Sequence, residues 1–293
     1  MTEVTLFEVG PRDGLQNEPR PLGPDDRVSL IKKLADAGMA YVEAGSFVSP
    51  KWVPQMADTD KVLAKLDMQD YRYPVLTPNM KGFEAARAAG ADHVAVFGAA
   101  SETFSQKNIN CSIAESLERF APVMEEAKKH QIRVRGYVSC VLGCPYEGEV
   151  DVAKVVEVAE WLLDHGAHEV SLGDTIGVGT PSKARAMVKA VAASVPAAQL
   201  ALHFHDTYGQ ALANILACLE EDVRIIDVAV AGLGGCPYAA GASGNVASED
   251  VLYMLEGLGL RTGVDLDLMV ATGQWVSELL GRQNNSKVGR ARS

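Results

Sequence analysis

Leu200-Ala-Leu-His-Phe-His-Asp-Thr-Tyr-Gly209 reads as the end of a β-strand running into a helix. His203 and His205 alternate with apolar Leu202 and Phe204. Residues two apart in a strand share a face, so both imidazoles would project into one enclosed space while the apolar pair packs on the other side. Neutral imidazole is the commonest protein metal ligand, and an H-x-H pair at a strand end makes a natural half-site. The same pattern also suits two histidines that only hydrogen bond in a wet groove, so the rest of the chain has to decide.

Outward from this stretch, one cycle repeats. Extended runs are expected at Val4–Val9, Ala40–Ala44, Tyr73–Leu76, His93–Phe97, Arg133–Ser139, His168–Leu172, the histidine strand and Arg224–Val230. Helical periodicity is expected over Pro24–Ala37, Met56–Leu66, Lys81–Ala89, Ile113–His130, Val152–His165, Pro181–Ser194, Gly209–Leu219 and from Asn245 to about Leu255. Eight strand-then-helix units of roughly thirty residues make a (β/α)8 TIM barrel, an α/β fold. A further helix, Leu266–Leu280, precedes a polar tail, Gln283–Ser293, expected to fray. We therefore expect one catalytic domain over 1–293, with 264–293 as C-terminal helix and tail. An open doubly wound sheet would need a phosphate fingerprint after the first strand, and Gly10-Pro-Arg-Asp-Gly-Leu is not one.

Composition excludes several function classes. Among 293 residues, 47% are hydrophobic, and 27 Lys and Arg stand against 38 Asp and Glu, for a formal net charge of -11. An acidic chain does not suit nucleic acid or an anionic membrane surface. No segment approaches the ~20 apolar residues of a membrane helix, and the N-terminus enters a strand without a leader pattern. The five cysteines are scattered, which suits a reducing compartment; Cys140 and Cys144 read as structural. A cytoplasmic protein is expected.

A barrel places its chemistry just after the strands, at the C-terminal mouth. Arg12, Asp13 and Gln16 follow strand one; Glu43 and Ser46 end strand two; Arg135 and Tyr137 lie on strand five, and Ser171 and Asp174 on strand six. After strand eight come Cys236 and Asn245, in a loop from Gly232 to Asn245 with five glycines, a composition that permits close backbone approach. Two imidazoles and one carboxylate, drawn from Asp13, Glu43, Asp174 or Asp206, suit a divalent cation. A set without thiolate leans to Mg²⁺ or Mn²⁺, although imidazole also suits zinc. Arg12 is a fixed cation suited to a carboxylate or a developing enolate oxygen, and Cys236 is a candidate proton donor or nucleophile.

Several stretches carry a closer likeness: Gly10–Glu18, Ser46–Gln55, Arg135–Cys140, Gly143–Gly148, Ser171–Gly177, the histidine strand and the loop Val230–Gly241. Together, over about Val4 to Gly263, the chain resembles the 3-hydroxy-3-methylglutaryl-CoA lyase family. The wider superfamily includes isopropylmalate and homocitrate synthases and shares the Arg-Asp pair and the H-x-H. The resemblance implies cleavage of 3-hydroxy-3-methylglutaryl-CoA to acetyl-CoA and acetoacetate, with a divalent cation held by Asp13, His203, His205 and Asn245. It further implies that Arg12 polarises the thioester carbonyl, that Glu43, Asp174, Ser46 and Ser171 order water and substrate, and that Cys236 protonates the enolate. Lys107 and Asn108 would lie near the CoA moiety, while Gln16, Arg135 and Tyr137 complete the expected substrate-binding set. A homodimer, an acyl-CoA substrate and a bacterial cytoplasmic setting, in leucine or ketone-body metabolism, are expected. The tail Gly289-Arg-Ala-Arg-Ser293 has neither the Cys of the animal thiol switch nor a peroxisomal tripeptide. Two alternatives remain: the same chemistry on a longer branched substrate such as 3-hydroxy-3-isohexenylglutaryl-CoA, and a metal- or CoA-binding sensor without turnover. A condensing synthase is disfavoured because no regulatory domain follows the barrel.

Overall fold

The computed structural model describes residues 3–68, 72–235 and 244–292. Nine parallel strand segments form one sheet: β1 (Thr5–Glu8), β2 (Tyr41–Val42), β3 (Gly45–Ser46), β4 (Val75–Leu76), β5 (His93–Ala99), β6 (Arg133–Ser139), β7 (Glu169–Asp174), β8 (Leu200–Phe204) and β9 (Ile225–Val228). Segments β2 and β3 are one stave. Between them Glu43 N–H donates to Glu8 O of β1, and Ala44 N–H donates to Pro74 O ahead of β4, both at 2.8 Å. That double attachment closes the sheet, so eight staves make the barrel and no edge is left open among the described strands.

The strands are Val-, Leu- and Ile-rich because one face packs on helices, and inward residues of successive strands stack in layers. The outer ring is α1 (Pro24–Asp36), α2 (Thr59–Leu63), α3 (Met80–Ala88), α5 (Ile113–Lys129), α6 (Val152–Asp164), α7 (Pro181–Val191), α8 (Ala211–Leu219) and α9 (Ser248–Gly257). Helix α5 opens with a full capping box, Ser112 and Glu115 each satisfying the other's backbone N–H. Helix α10 (Leu266–Leu280) has the bounds read from the sequence, set by the Asp265 cap and the left-handed Gly281.

Three expectations are corrected. The Met56–Leu66 helix is reduced to α2 after a 3-10 turn, Pro54–Met56, because Asp58 takes φ 58° between them. An unforeseen helix, α4 (Glu102–Ile109), precedes α5 and starts at Ser101, whose hydroxyl accepts from Phe104 N–H. The tail, described to Arg292, is held rather than frayed. It forms α11 (Lys287–Ala291), and the buried Ser286 before it donates to Asp250 Oδ1 at 2.7 Å, while Lys287 and Val288 N–H donate to the same carboxylate. No described helix is long and apolar enough to cross a membrane.

Candidate active site

The polypeptide after β1 winds into a π-helical turn, Gly10–Gly14, in which the N–H groups of Arg12, Asp13 and Gly14 all converge on Val9 O. Such turns recur at functional sites because they re-aim successive side chains. Here Arg12 and Asp13 both reach the barrel mouth. Arg12 Nε donates to Glu43 Oε2 and its Nη1 to Asp13 Oδ1, each at 2.7 Å, so the guanidinium is aimed by two carboxylates. Burial alone would lower the Arg12 pKa, but Glu43 and Asp13 raise it well above its ordinary value and keep it charged.

Strand β8 and the residue that follows it present His203 and His205 to the same cavity, as the alternation required. Asp13, His203 and His205 place one ligating atom each within 4.8 Å of one another, the one such group among the described residues. Burial opposes ionisation of Asp13, but Arg12, the two histidines and Asn245 hold its carboxyl well below the usual range. Burial, with help from His203, pushes the His205 pKa down to about 4, so the imidazole is neutral and its lone pair is available. The His205 Nδ1 is buried with no hydrogen-bond partner. An unsatisfied buried nitrogen beside a carboxylate and a second imidazole is what a resident cation would explain. Of the four candidate carboxylates, Asp13 is the one in this group. Glu43 is taken by Arg12, Asp174 accepts from Val178 and Gly179 N–H, and Asp206 accepts from Ala211 N–H and from Lys287.

Asn245 comes to Asp13 from the far end of the chain. His205 and Asn245 form an isolated antiparallel bridge, and the Asn245 amide donates to Asp13 Oδ2 at 2.8 Å. A cavity of about 750 Å³ opens above, lined by Arg12, Asp13, Gln16, Tyr137, His203 and His205, with Lys107 and Asn108 further out. Its apolar wall is Val48, Leu76 and Phe97, and Trp52, 84% exposed, stands at its rim.

Other expected residues lie elsewhere. Arg135 is 0% exposed and does not line this cavity; it sits two residues deeper than Tyr137 and is bound to Asp227 and Glu169. Ser171 donates to Asp227, and Ser46 accepts from Val48 N–H, so both are buried with partners of their own. Asp174 is buried, and burial raises its pKa to about 6 against the pull of the Gly179 and Val178 N–H groups. Cys236 falls outside the described residues. Sequence reading overlooked Asp227, whose Oδ2 meets His203 Nδ1 at 3.0 Å. Its signal was a lone carboxylate inside an otherwise apolar strand, Ile225-Ile-Asp-Val228.

A closed (β/α)8 barrel that gathers a carboxylate, two imidazoles and an aimed arginine at its C-terminal mouth is a barrel enzyme with a candidate cation centre. The chain belongs to the HMGL-like family, whose profile matches residues 3–276. It is 59% identical over 290 residues to a Pseudomonas aeruginosa 3-hydroxy-3-isohexenylglutaryl-CoA/hydroxy-methylglutaryl-CoA lyase, covering 99% of this chain and 97% of the relative. It is 57% identical over 289 residues to the mitochondrial hydroxymethylglutaryl-CoA lyase of Gallus gallus, covering 98% and 97%. A crystal structure of hydroxymethylglutaryl-CoA lyase from Pseudomonas aeruginosa superposes with TM-score 0.97 at 58% identity, covering 99% of this chain and 97% of the other. Such relatives make this chain a carbon–carbon lyase.

Proposed function

We propose that the enzyme cleaves 3-hydroxy-3-methylglutaryl-CoA to acetyl-CoA and acetoacetate, and that the longer 3-isohexenyl substrate named for the Pseudomonas relative enters the same site. The carrying observation is the grouping of Asp13, His203 and His205 with a charged Arg12 in one cavity. Asp13, His203, His205 and the Asn245 amide oxygen would hold Mg²⁺ or Mn²⁺. When bound, the cation supplies Lewis acidity and orients the substrate oxygens.

The chain's own groups account for the remaining steps. The tertiary hydroxyl proton leaves towards Asp174, directly or through a water that Asp174 orders. The carbonyl forms at that carbon as the adjacent carbon–carbon bond breaks, and its electron pair passes to the thioester as an enolate. Arg12, already aimed by Glu43 and Asp13, offers its remaining N–H groups to that oxygen without reorganising. Cys236 then delivers a proton to the enolate carbon. Lys107 and Asn108, on α4 at the outer lining, are suited to the CoA portion. The longer branch is supported by the apolar wall of Val48, Leu76 and Phe97. The homodimer and bacterial cytoplasmic setting expected above belong to the same reading.

Release of acetyl-CoA and acetoacetate, followed with each acyl-CoA before and after chelation, tests the assignment. Turnover lost to chelator and restored by Mg²⁺ or Mn²⁺ is expected. Undiminished turnover in a thoroughly chelated enzyme would remove the cation, and no turnover with either substrate would remove the lyase reading.

A further inference from the structure

Beneath the mouth, seven side chains form a closed chain of contacts. His203 Nδ1 meets Asp227 Oδ2 at 3.0 Å, and Asp227 accepts from both Arg135 Nη atoms at 3.0 and 2.6 Å. Arg135 Nη1 also donates to the Tyr137 hydroxyl at 2.9 Å, which donates to Glu43 Oε2 at 3.2 Å. Glu43 accepts from Arg12, Arg12 donates to Asp13, and Asp13 Oδ2 lies 4.0 Å from His203 Nε2. Apart from Arg135 and Tyr137, two residues apart on β6, and Arg12 and Asp13 in the π-turn, each link joins separate segments of the barrel, so the ring depends on the barrel's registry.

We propose that Arg135 is the positioning residue that couples the two halves of this site, the cation half through Asp227 and His203, and the enolate half through Tyr137, Glu43 and Arg12. The proposal deepens the function above and rests on its cation centre.

Three observations carry it. First, a fully buried guanidinium is costly unless its donors are used. Arg135 makes four hydrogen bonds, to Glu169, Tyr137 and both Asp227 oxygens, and its Cζ lies 3.7 Å from the centre of the Phe7 ring. Lysine cannot supply that planar fork. Second, Asp227 is the carboxylate behind a candidate metal-binding histidine. Both its oxygens accept from Arg135, and its Oδ2 lies 3.0 Å from His203 Nδ1, a position that suits an Nδ1–H donor. The lone pair is then on Nε2, which faces Asp13. Third, the Tyr137 hydroxyl has one proton. With Arg135 donating to it, that proton is directed at Glu43, and the Glu43 oxygen that accepts it is the one that aims Arg12 Nε. In each arm the donors from Arg135 and from the mouth thus converge on one carboxylate, Asp227 in the first and Glu43 in the second.

The two arms can be separated by measurement. Mn²⁺ binding to the full chain, read by electron paramagnetic resonance, is compared with kcat and KM for Asp227→Asn, Tyr137→Phe and Arg135→Lys, with circular dichroism as the check on folding. Asp227→Asn is expected to weaken Mn²⁺ binding about 10- to 100-fold. Tyr137→Phe removes one oxygen only; it should leave the Mn²⁺ Kd within about twofold and lower kcat about tenfold or more with little change in KM. Arg135→Lys should move both readouts. Folded Arg135→Lys or Asp227→Asn with unaltered Mn²⁺ affinity, or Tyr137→Phe that shifts Mn²⁺ affinity as much as kcat, overturns the proposal. Should Arg135→Lys and Asp227→Asn fail to fold, Tyr137→Phe still tests the enolate arm, and an unaltered kcat, or a Kd that shifts with it, overturns the proposal. If the unaltered chain binds no Mn²⁺, the cation reading itself fails, and this inference with it.

Discussion

The Asn245 amide donates to Asp13 Oδ2 at 2.8 Å, joining residues 232 positions apart in the chain. The same nitrogen reaches Leu233 O at 3.3 Å. With both amide hydrogens engaged, the side-chain oxygen is the group left to accept a cation.

Replacing Asn245 by Asp should therefore separate two effects. A second carboxylate beside Asp13 loses this hydrogen bond and adds like-charge repulsion, so the chelated protein should melt lower. Added Mn²⁺ should then raise Tm by more than it does in the parent. Asn245→Ala should show a smaller Mn²⁺-dependent gain than the parent. Equal gains in all three proteins, measured by scanning fluorimetry, would remove Asn245 from the cation set.

Arg12→Gln keeps a hydrogen-bonding side chain but removes the charge that Glu43 and Asp13 hold in place. Loss of one aimed donor to a developing oxyanion typically costs about 10²–10³ in rate. We expect kcat to fall by that order with KM changed far less, and a variant within about tenfold of parental kcat would contradict the assigned role.

Two carboxylates deeper in the fold make stability depend on pH. Burial raises Glu8 to about 7 and Glu249 to about 8, the latter with added repulsion from Glu8 and Asp250. The folded protein therefore keeps protons on them that the unfolded chain has released above its ordinary carboxylate range. Stability falls as pH rises through the folded values. Below pH 6.5 the depressed His205 and His168 work in the opposite direction, so the clean window is pH 6.5 to 8. A loss of about 1–2 kcal/mol is expected there from urea unfolding of the metal-free protein. Glu249→Gln should remove most of it, and an unchanged slope in that variant would show the shift to be absent.

Asp174→Asn and Cys236→Ala address the two proton transfers. The first should reduce kcat about 10²-fold or more, since near-normal turnover excludes that carboxylate as base. The second should lower kcat much more than Mn²⁺ affinity, and an unchanged kcat would end the proton-donor assignment.

The barrel was legible because each repeat carries its own strand period and helix stop, from Val4–Val9 through the Asp265 and Gly281 caps of the added helix. The mouth was legible to the extent that alternation fixes a face: His203 and His205 come together as the spacing required, and Asp13 is the one of four candidate carboxylates that joins them. Alternation does not fix depth. Arg135 and Tyr137 share a face, yet only the outer one reaches the cavity, while the inner one pairs with Asp227. Asp227 stood out as a lone carboxylate in an apolar strand, but its partners at that depth lie far off in the chain. Helix α4 and the tail were missed because their polar composition resembles loop, while what holds them, the Ser101 cap and the Asp250 carboxylate, is a matter of partners in space.

The held tail bears on how the protein is handled. Asn285 N–H donates to Ala231 O, and Lys287 pairs with Asp206, the residue after His205, so these two tail residues fasten the ground on which the mouth is built. Val4 N–H, by contrast, bonds Arg261 O at the opposite end of the strands. Purification tags, surface attachment or fusion partners are therefore best carried on the amino end, where added bulk emerges on the side of the barrel away from the chemistry.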